Sequence, residues 1–190
     1  KYDLYFFVDE AYREFCYDGN KFHSPMHLDG IEENVIVFDS ISKRYSACGA
    51  RIGCFVTKNK KVLATALKFA QSRLSPGMVD QIAAEAGVDT PDSYFQIINK
   101  EYTSRRDQLV SSLNKMEGVF CPNPKGAFYV VARFPVDDAE KFCQWMLEKF
   151  DYDNQTVMMA PAAGFYSTLG DGADEIRLAY VLNREDLAKA

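Results

Sequence analysis

No run of apolar residues in this 190-residue chain approaches the roughly 20 needed to span a bilayer, so no membrane helix is predicted. Nor is there a cluster of Lys and Arg. The 22 basic residues face 27 acidic ones, a net charge of −5, and that balance argues against nucleic acid or an anionic membrane surface as a partner. The five cysteines (Cys16, Cys48, Cys54, Cys121 and Cys143) are odd in number and form no C-x-x-C pair. Free thiols in a reducing cytoplasm are expected, not a disulfide framework. Histidine is scarce: His23 and His27 have helical spacing, but the segment HSPMH carries a proline and lacks a third ligand, so no metal site is expected. Neither a G-x-G-x-x-G turn nor a P-loop occurs. The pair Gly49 and Gly53 lacks the apolar context of a membrane-helix dimer motif. There is no internal repeat and no low-complexity tract; the chain opens at Lys1 in a strand-like segment, so a piece of a longer protein, without a signal peptide, is expected.

What is present is apolar: 47% hydrophobic and 14% aromatic residues, enough for one medium domain or two small ones. Residues 3–8, 35–38 and 52–57 are short apolar runs of the kind that suits strands buried on both faces of a sheet. Residues 58–73 have helical spacing, and Ser75-Pro76 reads as an N-cap followed by Pro at the first helical position. Thr90-Pro91 repeats that signal. From there to about Met116 nothing breaks a helix until Gly118, which predicts a helix roughly 40 Å long, suited to linking two domains. Beyond it, strand 128–134, helix 137–150, strands 157–160 and 175–182 and a helix from Arg184 predict a separate small α+β unit. The expected division is 1–95 and 96–190, with the long helix in the second part.

Ligands of open α/β sheets bind beyond the carboxyl ends of parallel strands. Asp9, Glu10 and Tyr12 follow the first predicted strand; Ser40, Ser42 and Lys43 follow the second. Only about a dozen residues join the second strand to the third. That leaves no room for a crossover helix, so the third strand is expected antiparallel, which returns Arg51 to the same edge. An acid, a phenol, hydroxyls, a lysine and an arginine then meet in one place. The set suits an anionic, phosphate-bearing cofactor with a basic nitrogen and an aldehyde. A deprotonated lysine can form a Schiff base, Arg and Ser can donate to phosphate, and a carboxylate can keep a pyridine nitrogen protonated.

The stretch SISKRYSACGARIG resembles the lysine signature of class I/II pyridoxal-phosphate-dependent aminotransferases, the aspartate aminotransferase family. VDEAY resembles that family's strand-end Asp with a Tyr three positions on. PNPKGAFYV, MMAPAAGFY and EIRLAYV resemble its small-domain landmarks, in the family's order, so the likeness runs from about Tyr2 to Asn183. The resemblance implies the carboxy-terminal half of such an enzyme. The fold would be α/β: part of a fold type I large domain, mainly parallel sheet with one antiparallel strand, followed by a small α+β domain.

For the site, the resemblance implies Lys43 as the Schiff-base lysine and proton shuttle for pyridoxal 5'-phosphate. Asp9 would pair with the pyridine nitrogen, Tyr12 with the 3′-oxygen, and Ser40 and Arg51 with the phosphate, with Ser42 beside it. Arg177 would fork onto the substrate's α-carboxylate. It further implies amino acid and 2-oxo acid substrates, a homodimer, and little activity from half an enzyme. Two positions depart from the pattern: Ala162 stands where Gly is usual, and Ala50 where a bulky residue precedes the Arg. A β-lyase or synthase on the same fold would keep Lys43, Asp9 and Arg51. An alternative of another class is the aminotransferase-like sensor domain of a transcriptional regulator, for which a DNA-binding helix-turn-helix is expected in the amino-terminal part outside this sequence.

Overall fold

In the computed structural model, which describes residues 2–190, three short strands open the chain: β1 (Phe6–Asp9), β2 (Val35–Ser40) and β3 (Gly53–Val56), in the order β1-β2-β3. β1 and β2 run parallel, in register from Phe6↔Val35 to Asp9↔Phe38. β3 is antiparallel to β2, from Val37↔Val56 to Ser40↔Gly53, as the short connection between them requires. Gly53 passes so close to β2 that a Cβ there would stand 2.7 Å from the Asp39 carbonyl oxygen, so only glycine fits.

Burial on both faces is realised in β2 alone. Val35, Ile36 and Val37 are at most 4% exposed, which stabilises the sheet by about 1.5–3 kcal/mol for each side chain. The flanking strands do not follow: Phe6, Phe7 and Val56 are 46%, 60% and 41% exposed. The physical reason is that β2 has a strand on either side, whereas β1 and β3 are edges of a sheet only three strands wide.

Helix α1 (Ile41–Arg44) is a single turn that the sequence pattern does not signal. Helix α2 (Lys60–Arg73) starts at the Asn59 cap, whose Oδ1 accepts the Val62 N–H at 3.0 Å. Ser75-Pro76 does not start a helix. α3 (Met78–Ala86) begins later, with Gly77 as its N-cap. The long helix α4 (Asp92–Leu113) has 22 residues, roughly 33 Å, and ends before Met116.

Backbone contacts divide the chain into two compact units, Lys1–Gln96 and Ile97–Ala190. In the second, β4 (Tyr129–Arg133), β5 (Ala160–Pro161) and β6 (Glu175–Ala179) form an antiparallel sheet in the order β4-β6-β5. The strand expected over 157–160 is thus confined to two residues, one of them a proline that cannot extend a ladder. Helix α5 (Ala139–Glu148) packs Ala139 and Cys143 against Ile176 of β6, with Phe134, Val136, Phe142, Met159 and Leu178 around them. The Asn183 cap starts α6 (Arg184–Lys189). No helix among the described residues is long and apolar enough to cross a membrane.

Candidate active site

The parallel pairing of β1 and β2 delivers two turns to one edge of the first sheet. β1 ends at Asp9, whose Oδ1 accepts the Ala11 N–H at 3.0 Å and so shapes the turn that follows. That turn, residues 11–14, carries Tyr12, half-buried and edge-on to Phe15. β2 ends at Ser40, the N-cap of α1: its Oγ accepts the Ser42 N–H at 3.1 Å. Lys43 lies on α1, and its Nζ stands 5.9 Å from the centroid of the Tyr12 ring, within cation–π range.

Two residues expected at a phosphate are engaged elsewhere. Ser40 Oγ lies 2.8 Å from Ser42 Oγ and 3.1 Å from the Ile52 carbonyl, and its single hydrogen can serve one acceptor at a time. Arg51, exposed, takes a left-handed backbone (φ 55) and donates from Nη1 to the Cys48 carbonyl at 2.9 Å. As a donor set, carboxylate, phenol, amine, hydroxyls and guanidinium fit a phosphate-bearing pyridine aldehyde.

Sequence reasoning missed the charges beside these residues. Arg44, next to Lys43, donates from Nη2 to Asp39 Oδ2 at 2.6 Å and sets its Nε 2.7 Å from Glu14 Oε1. Arg13, next to Tyr12, sets its Nε 2.9 Å from the same Glu14 oxygen and its Nη1 3.2 Å from Asp39 Oδ2. Arg13, Glu14, Arg44 and Asp39 therefore close a ring of alternating charge. Asp39 Oδ1 also accepts the Ser40 N–H at 2.7 Å. Beneath lies Glu10, 2% exposed, accepting from Ser24 Oγ and paired to Arg13 Nη1 at 3.6 Å. Burial by itself would lower the Arg44 pKa, but the hydrogen bond to Asp39 and the pairing with Glu14 carry it above its ordinary value. The available signal was an acid, Asp39, closing an otherwise apolar strand, with Arg-Glu directly after Tyr12.

The second unit holds Arg177, in β6 opposite Val131 of β4 and Ala160 of β5. Its guanidinium lies 4.8 Å from the Tyr129 ring centroid and 5.0 Å from that of Phe165. Stacking on two aromatic faces limits the rotamers of an otherwise flexible side chain. Both aromatics stand in the segments GAFYV and GFY, where the sequence gives no sign that they meet Arg177.

A family model described as aminotransferase class I and II matches residues 1–190. Similar proteins include an aspartate aminotransferase of Pyrococcus horikoshii, 31% identical over all of this chain and 47% of its own length. An LL-diaminopimelate aminotransferase of Desulforudis audaxviator is 34% identical, over 90% of this chain and 42% of its own. Among solved structures, an aromatic aminotransferase from Pyrococcus horikoshii superposes with a TM-score of 0.83 at 30% identity, over 97% of this chain and 48% of that one. The chain thus spans about half the length of the relatives it matches. By the family match along its whole length, it belongs to the class I and II aminotransferases.

Proposed function

We propose that this chain carries the cofactor lysine of a pyridoxal-phosphate-dependent aminotransferase, whose full-length form moves an amino group from an amino acid to a 2-oxo acid. The observation that carries this reading is the approach of Lys43 to Tyr12 at the edge where β1 also ends in Asp9. When bound, pyridoxal phosphate would supply an aldehyde for amine capture and a pyridine ring that accepts electrons.

The residues then divide the work. Lys43, as the free amine, would hold the group through Nζ, the condensation with the aldehyde releasing water, and, once freed by the incoming amino group, would take the proton from the substrate's Cα. Asp9 offers a carboxylate to hold a proton on the pyridine nitrogen. The Tyr12 hydroxyl would donate to the 3′-oxygen carried by the ring. Arg51 and Ser40 would donate to the phosphate, Arg51 from guanidinium N–H groups other than the one held by the Cys48 carbonyl, and Ser40 by giving up the Ser42 hydroxyl or the Ile52 carbonyl. Arg177 offers a planar fork to the substrate's α-carboxylate.

In this reading residues 1–95 belong to a fold type I large domain, and 96–190 to a small α+β domain. The exposed apolar side chains of β1 and α2, such as Phe7, Leu67 and Phe69, face the part of the enzyme this chain does not span. The parent is a cytoplasmic homodimer. Borohydride treatment of the full-length protein with pyridoxal phosphate is expected to leave a pyridoxyl mass tag on the peptide containing Lys43. A tag on another lysine, or none, overturns the reading.

A further inference from the structure

We propose that the ring Arg13–Glu14–Arg44–Asp39 is a positioning device that sets Tyr12 against Lys43, with Arg44 and Glu14 as its positioning residues. The inference rests on the reading of Lys43 and Tyr12 just given, and it assigns a role to residues outside the cofactor contacts.

The two turns need such a link. The β1–β2 register ends at Asp9↔Phe38, with one further backbone bond from the Glu10 N–H to the Phe38 carbonyl at 2.8 Å. Tyr12 and Lys43 both lie past that point. α1 is four residues long, and a single helical turn has little stability of its own. Its amino end is held by the Ser40 cap. Its carboxyl end is held by Arg44, whose guanidinium reaches Asp39 of β2 at 2.6 Å and Glu14 of the Tyr12 turn at 2.7 Å. Arg13 makes the reciprocal link, from the Tyr12 turn to Asp39 at 3.2 Å. Each turn is thus tied both to β2 and to the other turn.

Arg13 and Arg44 each lie one residue beyond Tyr12 and Lys43, Glu14 lies two beyond Tyr12 and Asp39 just before Ser40. Arg13, Glu14, Asp39 and Arg44 line a cavity of about 540 Å³ together with Ser40, Glu85, Asp92 and other residues; of the proposed cofactor residues only Ser40 borders it, and neither Tyr12 nor Lys43 does. The arrangement is costly to build for stability alone. The side chains of Asp39, Arg44 and Glu14 are only 8%, 11% and 18% exposed, and ion pairs this buried can often be replaced by apolar groups without loss of stability. What a planar guanidinium bridging two carboxylates supplies is a fixed geometry.

The test uses the full-length protein, freed of cofactor and then given pyridoxal phosphate, with the rate of capture at Lys43 followed by absorbance. Arg44→Met and Glu14→Gln should each slow capture and lower kcat at least about tenfold, the scale of a small misplacement at a reacting centre. KM for the amino acid should stay within about twofold, because no ring residue is assigned to the substrate, while Tm should fall in Arg44→Met, which leaves Asp39 and Glu14 without their shared partner, and fall less in Glu14→Gln, which keeps the side chain's shape. The double variant should be no slower than the slower single, since both residues act through one ring. Arg44→Lys keeps the charge without the fork and should recover only part of the capture rate. If Arg44→Met fails to fold, Glu14→Gln alone decides.

Capture rate and kcat unchanged in Glu14→Gln, or additive losses in the double variant, overturn the proposal and leave the assignment of Lys43 standing. A wild-type protein that takes no pyridoxyl tag at Lys43 removes both together.

Discussion

The Lys43 Nζ lies 5.9 Å from the centroid of the Tyr12 ring, so a phenol and an amine from two different strand-end turns share one small space. The contact is to the ring, while the role proposed for Tyr12 belongs to its hydroxyl. Tyr12→Phe separates the two. Phenylalanine keeps the ring face for Lys43 and the edge contact with Phe15. It loses one neutral hydrogen bond to the cofactor, a net of about 0.5–1.5 kcal/mol. The Kd for pyridoxal phosphate, measured by fluorescence titration of the full-length apoprotein, should rise about two- to twelvefold. An unchanged Kd takes the hydroxyl out of the site.

Asp9→Asn tests charge without disturbing shape. Asp9 Oδ1 accepts the Ala11 N–H, and an asparagine carbonyl oxygen can keep that bond and the turn it shapes. A neutral amide cannot hold a proton on a pyridine nitrogen. The full-length variant should therefore load cofactor at close to normal affinity while kcat falls by two or more orders of magnitude, roughly the scale of losing one preorganised electrostatic group. Ordinary turnover in the variant would remove Asp9 from the mechanism.

Acid should loosen α5 through Asp138. This residue caps the helix, with Oδ1 accepting the Lys141 N–H at 3.0 Å and Oδ2 3.0 Å from the Lys141 ammonium. The backbone bond from Lys141, followed by the side-chain bond from the same residue, holds the Asp138 pKa below its usual value. A depressed carboxylate pKa means that the stabilisation is fully present above the unfolded value of about 3.9 and is lost as pH falls through the folded one. Asn caps as well as Asp but does not titrate in this range. Between about pH 5 and pH 2, Asp138→Asn should lose less Tm than wild type. Equal losses in the two proteins would show that the cap does not contribute to the acid transition.

Much of the frame was legible because its causes are local. The gap between Val37 and Gly53 was too short for a crossover, which fixed the antiparallel β3. The helical patterns over 137–150 and from Arg184 announced α5 and α6, though not the caps that start them, Asp138 and Asn183. Other features were not legible because their causes are tertiary. Ser75-Pro76 carries a valid start signal, yet α3 starts later, at the Gly77 cap. The faces of β1 read as buried from Phe6 and Phe7, yet in a three-stranded sheet those residues stay exposed. At the site, the motif residues could be named one by one. The pairing of Arg44 with Glu14 could not be, because it joins residues thirty positions apart through side chains alone.

Arg177 gives the sharpest test of substrate recognition. It sits at the centre of β6, opposite Val131 and Ala160, with its guanidinium over Tyr129 and Phe165 at 4.8 and 5.0 Å. Two aromatic faces hold the plane of the group and leave its edge N–H donors for a carboxylate, the geometry that a two-pronged hydrogen bond needs. Lysine keeps the charge and a weaker hold on the rings but has no fork. Arg177→Lys in the full-length enzyme should therefore raise KM for amino acids and 2-oxo acids alike. The loss should be about 1.5–3 kcal/mol of charge-assisted hydrogen bonding. That corresponds to at least about tenfold in kcat/KM. Cofactor loading, read from absorbance, should stay near normal, because nothing proposed for Arg177 involves the phosphate. If the variant loses cofactor and keeps its KM, the two aromatic rings hold Arg177 for the cofactor or for the fold, and the α-carboxylate is bound by another residue.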